Sequence, residues 1–305
     1  MSQSPRREPP PIIVTGANGF IGRRCCARLR AQGHRIIACA RAPGPGLTTV
    51  DLTDSAAFSV LVAAQQPSCI IHLASLGVAP SGAHDPALVS ANLVLADTVI
   101  RAAAEAPGCR VIMTGSMAEY GIHDRPLHEH LAPEPGSSLA CYGIAKLAAG
   151  IHARSLGRRL GVPVALARLF GVYGPGEAPH RLFPSLLSGL RAGQVVELSD
   201  GQQQRDFIQV DDACAVLEAL IRLPFDDLLV NVGTGVPVRV SDTCRKLAAA
   251  LGVDPGLLRF GARPRSPGDA DLLVADTARL RSLIGEPPPA RLAAEHYDLG
   301  WFIHG

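Results

Sequence analysis

Short apolar runs alternate with helical stretches along the first half of the chain. Ile12-Ile13-Val14 has the pattern of a buried strand, and a glycine-rich turn and a helix from about Phe20 to Gln32 follow it. The alternation continues with strands at Arg35 to Ala40, Thr49-Val50, Cys69 to Leu73, Arg110 to Thr114 and Val164 to Arg168, and with helices at Asp54 to Gln65, Pro86 to Glu105 and Ser138 to Leu160. Such alternation builds βαβ units. The pattern predicts the α/β class, with a Rossmann-type, doubly wound parallel sheet.

Beyond Arg168 the pattern loosens. Leu182 to Ala192 is helical in pattern, and Phe207 to Val210 and Leu229 to Val232 have the pattern of returning strands. We therefore expect a main domain over 11–168, to which 206–235 returns. A smaller C-terminal lobe is expected over 169–205 and 236–305, and a disordered tail over 1–10.

Composition narrows the classes of function. The 305 residues carry a net charge of +2 without any Lys/Arg run, which argues against a nucleic-acid partner. We find no apolar run of the roughly 18 residues that span a bilayer, and the polar N-terminus lacks the apolar region of a secretory signal. The eight Cys are scattered, which favours buried reduced thiols over a metal or disulfide framework. We expect a cytoplasmic protein with no membrane or metal partner.

The turn after the first strand runs from Gly16 to Gly22. Gly16 permits a tight turn, Gly19 lets the backbone approach a pyrophosphate on the helix N-terminus, and Gly22 allows the helix to pack closely on the sheet. The glycines are spaced three and three, whereas the common dinucleotide fingerprint has two and three. The context favours a dinucleotide cofactor, and the alternative is a plain tight turn.

The end of the second strand bears on which dinucleotide binds. A carboxylate there would bind a ribose 2′-hydroxyl, but the strand ends with Ala40 and Arg41. Arg41 favours NADP(H), with NAD(H) possible, unless it is only a solvated surface side chain. We expect Asp51 and Leu52, after the third strand, at the adenine edge.

Tyr142 and Lys146 lie four residues apart in a predicted helix and so share one face. A Tyr hydroxyl ordinarily titrates near pH 10, and a neighbouring ammonium favours the phenolate. The pair can then move a proton to or from a substrate oxygen while hydride moves at the adjacent carbon. Ser116 follows the fifth strand, where parallel-sheet ligands bind, and can orient that oxygen. Taken alone, Ser116 would be interpreted as a turn cap.

Further motifs extend over about the whole chain. They are 15–22 (TGANGFIG), 72–74 (HLA), Asn92, 115–121 (GSMAEYG), 142–146 (YGIAK), 168–176 (RLFGVYGPG), 205–212 (RDFIQVDD) and 231–235 (NVGTG). In these motifs the chain resembles the extended short-chain dehydrogenase/reductases, the group of nucleotide-sugar epimerases, dehydratases and 4-ketoreductases. The resemblance implies an NAD(P)-binding main domain, a substrate-binding C-terminal lobe and a homodimer built on the two long helices. Apolar residues such as Leu93, Val94, Leu147 and Ile151 would form that interface, and core packing within the subunit is the alternative for them.

The resemblance also implies site residues. Ser116, Tyr142 and Lys146 would be catalytic, and Ser116, Arg205 and Arg265 would contact a nucleotide-sugar. An ion pair with Asp206 or Asp211 is the alternative for Arg205. The loop Glu177 to Arg181 and the residues near His123 and Ser75 are expected to shape the sugar pocket. The cofactor contacts would be Gly16, Asn18, Gly19, Phe20, Ile21, Gly22, Arg41, Asp51, Leu52, Leu73, Ala74, Ser75, Asn92, Thr114, Tyr142 and Lys146.

Two positions depart from the family. Met117 and Ala118 stand where 4,6-dehydratases have acidic residues, and neither can do acid–base work, so dehydration is not expected. Glu119 would face away and have a structural role. Gly171 replaces an Asn that many relatives use toward the substrate phosphate.

These residues favour an NADPH-dependent 4-ketoreductase of a nucleotide-linked deoxysugar, in which Tyr142 is the proton donor. An NAD-dependent nucleotide-sugar 4-epimerase is the alternative. Reduction of a non-sugar ketone and a non-enzymatic nucleotide-sensing protein on the same fold are less favoured.

Overall fold

The computed structural model describes residues 9–76, 85–134, 140–266 and 268–293. Most of the predicted tail (1–8), the first two residues of the helix predicted from Ser138, and the end of the predicted lobe (294–305) lie outside the described residues.

Fourteen strands are formed within the described ranges. They are β1 (Ile12–Thr15), β2 (Ile36–Ala40), β3 (Thr48–Thr49), β4 (Cys69–His72), β5 (Arg110–Ser116), β6 (Val164–Leu169), β7 (Gly171–Tyr173), β8 (Val196–Glu197), β9 (Gln204–Arg205), β10 (Phe207–Gln209), β11 (Asp227–Val232), β12 (Val238–Arg239), β13 (Leu258–Arg259) and β14 (Leu272–Leu273).

The same ranges contain eight α-helices. They are α1 (Phe20–Ala31), α2 (Ser55–Gln65), α3 (Ala87–Ala104), α4 (Ala140–Leu160), α5 (Leu182–Arg191), α6 (Val210–Arg222), α7 (Val240–Ala250) and α8 (Ala278–Ile284). Short 3-10 helices occupy Met117–Glu119, Pro255–Leu257 and Arg291–Ala293.

Seven strands form one parallel sheet in the order β11-β6-β5-β4-β1-β2-β3. All four residues of β1 are buried, because this strand lies inside the sheet with helices on both of its faces. The chain adds β2 and β3 on one side of β1, and it adds β4, β5, β6 and β11 on the other side. The strand order therefore reverses between β1 and β4. Ligands of such sheets bind beyond the carboxyl ends of the strands at this switch point, so the fold itself predicts where the site lies.

Two separate cores cover the faces of the sheet. On one face α1 packs against α6, with Leu29 and Leu217 fully buried between them. On the other face α3 packs against α2 and α4 around Val99 and Phe58. Asp54 accepts the backbone N–H of Ala57 and so caps α2, as its sequence position predicts.

A third core lies outside the seven-stranded sheet, within the residues predicted to form the smaller lobe. There α5 and α7 pack around Phe183, Leu186 and Leu247, beside the short strands β8, β9, β12, β13 and β14. Since β9 carries Arg205, this lobe brings a cation toward the carboxyl edge of the main sheet.

The strand and helix positions expected in the first half are confirmed to within two residues at the ends that are described. The prediction for Phe207 to Val210 needs correction. β10 pairs only with β7 among the described residues, and within 206–235 the seven-stranded sheet takes up β11 alone. The Gly171 backbone is tied to β10 here, since a Cβ at this position would lie 2.7 Å from the Asp206 carbonyl oxygen.

Helix α3 also departs from expectation. With 18 residues and a mean hydropathy of 1.5, it is long and apolar enough to cross a membrane. The sequence was expected to contain no apolar run of this length, because Asp97 and Arg101 interrupt the apolar positions of α3. Half of the helix is buried inside the protein, and a core helix passes the same test.

Candidate active site

The glycine-rich turn is shaped by close contacts between backbone atoms. Gly16 has φ +67°, and a Cβ there would lie 2.7 Å from the Ala74 amide nitrogen. A Cβ on Gly22 would lie 2.1 Å from the Gly16 carbonyl oxygen, so any side chain would push α1 off the turn. Gly19 caps α1 without a side-chain acceptor, and the first turn carries no acidic residue. The free N–H groups of that turn fit a pyrophosphate.

Five of the other predicted cofactor residues line one cavity, whereas Asn18 lies outside its lining. Phe20, Ile21, Leu73, Ser75 and Thr114 line a cavity of about 350 Å³ at the carboxyl edge of the sheet. Asn18 is exposed at the turn, where its carbonyl oxygen accepts a hydrogen bond from Arg23 at 2.8 Å.

Asn92 is buried on α3 and does not line the cavity. Its Oδ1 atom accepts hydrogen bonds from the Ser75 hydroxyl at 3.0 Å and the Leu76 N–H at 3.1 Å. Its Nδ2 atom donates to the Leu88 carbonyl at 2.9 Å. Asn92 therefore holds the segment after β4, and any influence on a cofactor would pass through Ser75.

Arg41 is exposed at the end of β2, in a surface depression that Asp51 and Asp54 also line. Asp51 accepts hydrogen bonds from the Thr53 N–H and hydroxyl, which lower its pKa, and the charge of Arg41 lowers it further. Leu52 is buried in the core beneath. This depression thus presents a guanidinium and a carboxylate side by side.

Ser116 is the last residue of β5, two residues beyond the predicted strand end. Its hydroxyl accepts the N–H of Ala118 at 3.2 Å, and Glu119 Oε1 accepts the N–H of Ser116 at 2.7 Å. This capping box begins the 3-10 helix at Met117. The strand end and the box together fix the Ser116 side chain at the cavity wall.

Tyr142 and Lys146 lie one turn apart on α4 and both line the cavity with Ser116. The Ser116 side chain lies close enough to Tyr142 to act on the pKa of the phenol, which it lowers. Lys146 is buried, and its Nζ atom donates to the Thr114 carbonyl at 3.1 Å. Burial lowers the pKa of Lys146 from 10.5 to about 8, against the opposing effect of Glu119. The structure thus brings the three predicted catalytic residues together.

The expected lowering of the Tyr142 pKa by Lys146 is not found. Burial, with the negative charge of Glu119, raises the pKa of Tyr142 to about 12, although Ser116 and Arg181 act in the other direction. The prediction took into account only the charge of Lys146. In the structure, the desolvation of the phenol and the nearby carboxylate of Glu119 determine the Tyr142 pKa. Tyr142 is therefore protonated at neutral pH.

Glu119 forms a buried ion pair that the sequence did not reveal. Its side chain is fully buried and accepts from Arg168 Nε at 2.7 Å. The Arg168 guanidinium also stacks 4.3 Å from the centre of the Tyr120 ring, and Tyr120 donates to Asn231 at 2.6 Å. Glu119 has a structural role, as predicted, but it does not face away from Ser116, because residues 117–119 turn into a 3-10 helix. An acidic residue three positions after a Ser is the sequence signal of a capping box. It predicts the contact between Glu119 and the Ser116 N–H, although not the ion pair with Arg168.

Arg205 lines the cavity from the smaller lobe. Its Nη2 atom pairs with Asp269 at 2.5 Å, rather than with Asp206 or Asp211. Asp206 instead accepts from Thr234 and Gly235. Burial lowers the pKa of Arg205, so Asp269 offsets only part of the cost of desolvating this cation. A substrate anion would find it already desolvated.

Arg265 stands apart from the cavity lining. It pairs with Asp200 at 2.7 Å and with Asp271. Both of its carboxylate partners lie outside the lining, so the expected contact between Arg265 and a substrate phosphate has no support in this geometry.

The model of the NAD dependent epimerase/dehydratase family matches residues 12–233. The chain belongs to this family. It is 30% identical over 302 residues to dTDP-6-deoxy-L-talose 4-dehydrogenase (NAD(P)(+)) of Kitasatospora kifunensis, with 93% of each chain covered. It is 26% identical to a probable UDP-glucuronate 4-epimerase of Rhizobium meliloti, with 94% of this chain and 96% of the other covered.

Among solved structures, MoeE5 in complex with UDP-glucuronic acid and NAD has a TM-score of 0.82. It is 29% identical, with 92% of this chain and 94% of the other covered. The predicted fold class and the membership of the extended short-chain dehydrogenase/reductases are confirmed. The chain is an NAD(P)-dependent enzyme of this type, in the group of nucleotide-sugar epimerases, dehydrogenases and dehydratases, and the non-enzymatic interpretation is set aside.

Proposed function

We propose that this enzyme is an NADPH-dependent 4-ketoreductase that acts on a nucleotide-linked deoxysugar. The observation that carries the proposal is the Tyr142 phenol, which lines the cavity together with Ser116 and Lys146 and is protonated at neutral pH. A reduction of a carbonyl needs a proton donor at its oxygen, and a phenol with a pKa of about 12 holds its proton until charge develops there.

The residues divide the chemistry among them. When bound, NADPH supplies the hydride that the carbonyl carbon accepts. The Ser116 hydroxyl orients the carbonyl oxygen, and Tyr142 transfers its proton to that oxygen, which gives the alcohol. Lys146 lies one turn away on α4, where its buried amine lines the same cavity.

Dehydration is disfavoured by the residues after Ser116. Met117 and Ala118 line the cavity where an elimination would need an acid and a base, and a thioether and a methyl group can be neither. The carboxylate of Glu119 is not available for this role, because it is buried against Arg168 and the Ser116 N–H.

Arg41 supports NADPH over NADH. A guanidinium at the end of the second strand suits a ribose 2′-phosphate, although Asp51 beside it offsets part of the charge. The Kitasatospora relative, a 4-dehydrogenase described with NAD(P)(+), is similar over nearly the whole chain and supports a net redox reaction at C4.

The nucleotide-sugar substrate is inferred from Arg205 and from the relatives. Arg205 has a buried guanidinium that can form a bidentate contact with a diphosphate, and Asp269 is its ion-pair partner in the free protein. We further propose that residues 169–205 and 236–305 form the substrate lobe, that the enzyme works in the cytoplasm, and that α3 and α4 form a homodimer interface.

A nucleotide-sugar 4-epimerase is the second candidate, favoured by the similarity to the Rhizobium relative. It would use Ser116, Tyr142 and Lys146 in the same way, with NAD reduced and reoxidised in each cycle. The purified protein separates the two: an epimerase retains NAD, whereas a reductase consumes added NADPH in step with product.

The test is absorbance at 340 nm with NADPH and a panel of nucleotide-linked 4-keto sugars. We expect turnover with at least one of them, and a loss of orders of magnitude in Tyr142→Phe with cofactor affinity nearly unchanged. Tyr173→Phe, a second buried tyrosine outside the cavity lining, is the matched control. Unchanged turnover in Tyr142→Phe would overturn the catalytic assignment.

A further inference from the structure

A buried carboxylate lies in the cavity wall on a loop separate from β5 and α4, the elements that carry the catalytic residues. Glu177 belongs to the loop between β7 and α5, and its side chain is 5% exposed. The loop is held by two turns, in which the Glu177 N–H donates to the Gly174 carbonyl and the Arg181 N–H to the Ala178 carbonyl. Both Glu177 and Arg181 line the same cavity as Ser116 and Tyr142.

The two oxygens of this carboxylate differ. Oε1 accepts from Arg181 Nε at 3.2 Å, whereas Oε2 is buried with no hydrogen-bond partner among the described residues. Buried polar atoms are nearly always satisfied, so an acceptor left open in a substrate cavity awaits a donor from the ligand. Burial raises the pKa of Glu177 while Arg181 acts to keep it ionised.

The loop is placed for contact with the sugar. A Cβ on Gly176 would lie 3.3 Å from Arg23 Nη2 and 3.9 Å from Phe20 Cδ2, so the loop rests on the first turns of α1. Arg181 is also close enough for its charge to affect Tyr142. Glu177 is thus near both the expected cofactor path and the proton donor, where the reacting ring must lie.

The charges of the cavity restrict what this ring can carry. Among the described lining residues the guanidinium of Arg205 pairs with Asp269, and that of Arg181 pairs with Glu177. Arg205 is reserved for the diphosphate in the proposed function. The lining then contains the Glu177–Arg181 pair, in which Oε2 of Glu177 has no partner, the His180 ring, and the Lys146 amine, which donates to the Thr114 carbonyl. A carboxylate on the ring would meet Glu177 with no unpaired guanidinium.

We propose that Glu177 selects a neutral hexose, by accepting a hydrogen bond at Oε2 from a ring hydroxyl, and that it disfavours a uronic acid. The proposal rests on the proposed nucleotide-sugar function and deepens it. MoeE5, by comparison, is solved in complex with UDP-glucuronic acid and in complex with UDP-glucose.

The test compares two ligands that differ only at C6. UDP-glucose and UDP-glucuronic acid are titrated by calorimetry into the NADP⁺-saturated protein, and the thymidine diphosphate pair is titrated in the same way. With the base that binds more tightly, we expect the glucose ester to bind at least about 10-fold more tightly than the glucuronic acid ester, since like charges repel strongly in a desolvated site.

Variants then assign the preference to this residue. Glu177→Gln keeps the shape and removes the charge, so the glucuronic acid ester should gain about 10-fold relative to the glucose ester. Arg181→Gln should weaken the glucuronic acid ester further, and it provides the same test if Glu177→Gln does not fold. Glu197→Gln, an exposed glutamate outside the cavity lining, should leave the ratio unchanged.

The outcomes separate the two proposals. If neither ester of any base binds, including the guanosine diphosphate pair titrated in the same way, the nucleotide-sugar function is wrong and the role of Glu177 falls with it. If the esters bind but wild type prefers the glucuronic acid form, or the ratio is the same in wild type and Glu177→Gln, only the role of Glu177 is overturned.

Discussion

The carboxylate of Glu119 accepts the backbone N–H of Ser116 at 2.7 Å and thereby ties the catalytic serine to a buried ion pair. Its other oxygen accepts from Arg168, whose side chain is 5% exposed, while that of Glu119 is 0% exposed. The same carboxylate raises the pKa of both Tyr142 and Lys146 through its charge. Glu119 was not among the predicted catalytic residues. It nevertheless fixes the backbone of Ser116 and raises the pKa values of Tyr142 and Lys146.

Glu119→Gln should destabilise the protein markedly. Without its partner the Arg168 charge is buried and uncompensated, and such losses cost about 3–5 kcal/mol. The free energy of unfolding, measured by urea denaturation at pH 7, should fall by that order. Glu105→Gln, at an exposed position just after α3, should change it by less than about 0.5 kcal/mol. Equal effects of the two variants would show that the buried pair contributes no more than a surface charge.

Lys146→Met should stabilise the protein below pH 8. A folded pKa of about 8 against an ordinary value of 10.5 means that the unfolded chain binds the extra proton between these limits. Wild-type stability therefore rises with pH from about 8 to 10.5, and the full cost of the buried charge, on the order of 3 kcal/mol, is present below pH 8.

Urea denaturation of both proteins from pH 6 to 10.5 checks this. The advantage of Lys146→Met should be largest at pH 6 to 8 and should shrink as the pH rises. Lys246→Met, at the only other lysine of the chain, is the control, since that side chain is partly exposed on α7. A constant difference between wild type and Lys146→Met across this range would contradict the assigned cause.

The sequence was sufficient to predict the fold class and to predict that Ser116, Tyr142 and Lys146 line the same site. Apolar runs, turn glycines and helical spacing are local signals, and the carboxyl edge of a parallel sheet converts them into a site. The protonation of Tyr142 was not accessible in this way. Its pKa depends on burial and on Glu119, which are set by packing between β5, α4 and β6.

The partners of the arginines show the same limit. Arg205 finds Asp269 and Arg168 finds Glu119, at separations of 64 and 49 residues along the chain. The sequence offered Asp206 and Asp211 for Arg205 because they are near in sequence, yet β10 and α6 direct them elsewhere. Long-range pairs of this kind follow from tertiary structure and have no periodic signal.

Arg41→Asp should shift the cofactor preference from NADPH toward NADH. A carboxylate at this position can bind a ribose 2′-hydroxyl and repels a 2′-phosphate, so the ratio of kcat/KM for NADPH over NADH should fall by about 10-fold or more. Initial rates with each cofactor give the ratio. Arg35→Asp, at an arginine just before β2, controls for net charge. The cofactor proposal fails if the ratios of Arg41→Asp and wild type coincide.

Ile151→Arg should separate a dimer if α3 and α4 form the interface. Ile151 and Val94 are 57% and 46% exposed apolar side chains on the two helices that this interface would use. A buried unpaired guanidinium at a two-fold interface is repeated in both subunits, so its effect is doubled. Light scattering should show a dimer for wild type and a monomer for the variant. Val60→Arg, at a 70% exposed position on α2, should remain dimeric.

Gly22→Ala should impair folding, whereas Gly19→Ala should mainly impair cofactor binding. A Cβ on Gly22 meets the Gly16 carbonyl oxygen at 2.1 Å, which forces the backbone of the turn and α1 apart. A Cβ on Gly19 lies 3.1 Å from that same oxygen, a tight contact that a small shift relieves, and Gly19 is already in an extended conformation with φ −74°. Its added methyl group would instead stand where the pyrophosphate approaches the helix N-terminus.

Thermal unfolding and NADP⁺ titration of both variants distinguish the two effects. Gly22→Ala should lower the free energy of unfolding by about 1–3 kcal/mol, the usual range for overpacking. Gly19→Ala should lose less than about 1 kcal/mol but at least about 10-fold in cofactor affinity, the equivalent of about 1.4 kcal/mol in binding. If Gly19→Ala bound NADP⁺ as wild type does, the pyrophosphate would have to lie elsewhere than on the first turn of α1.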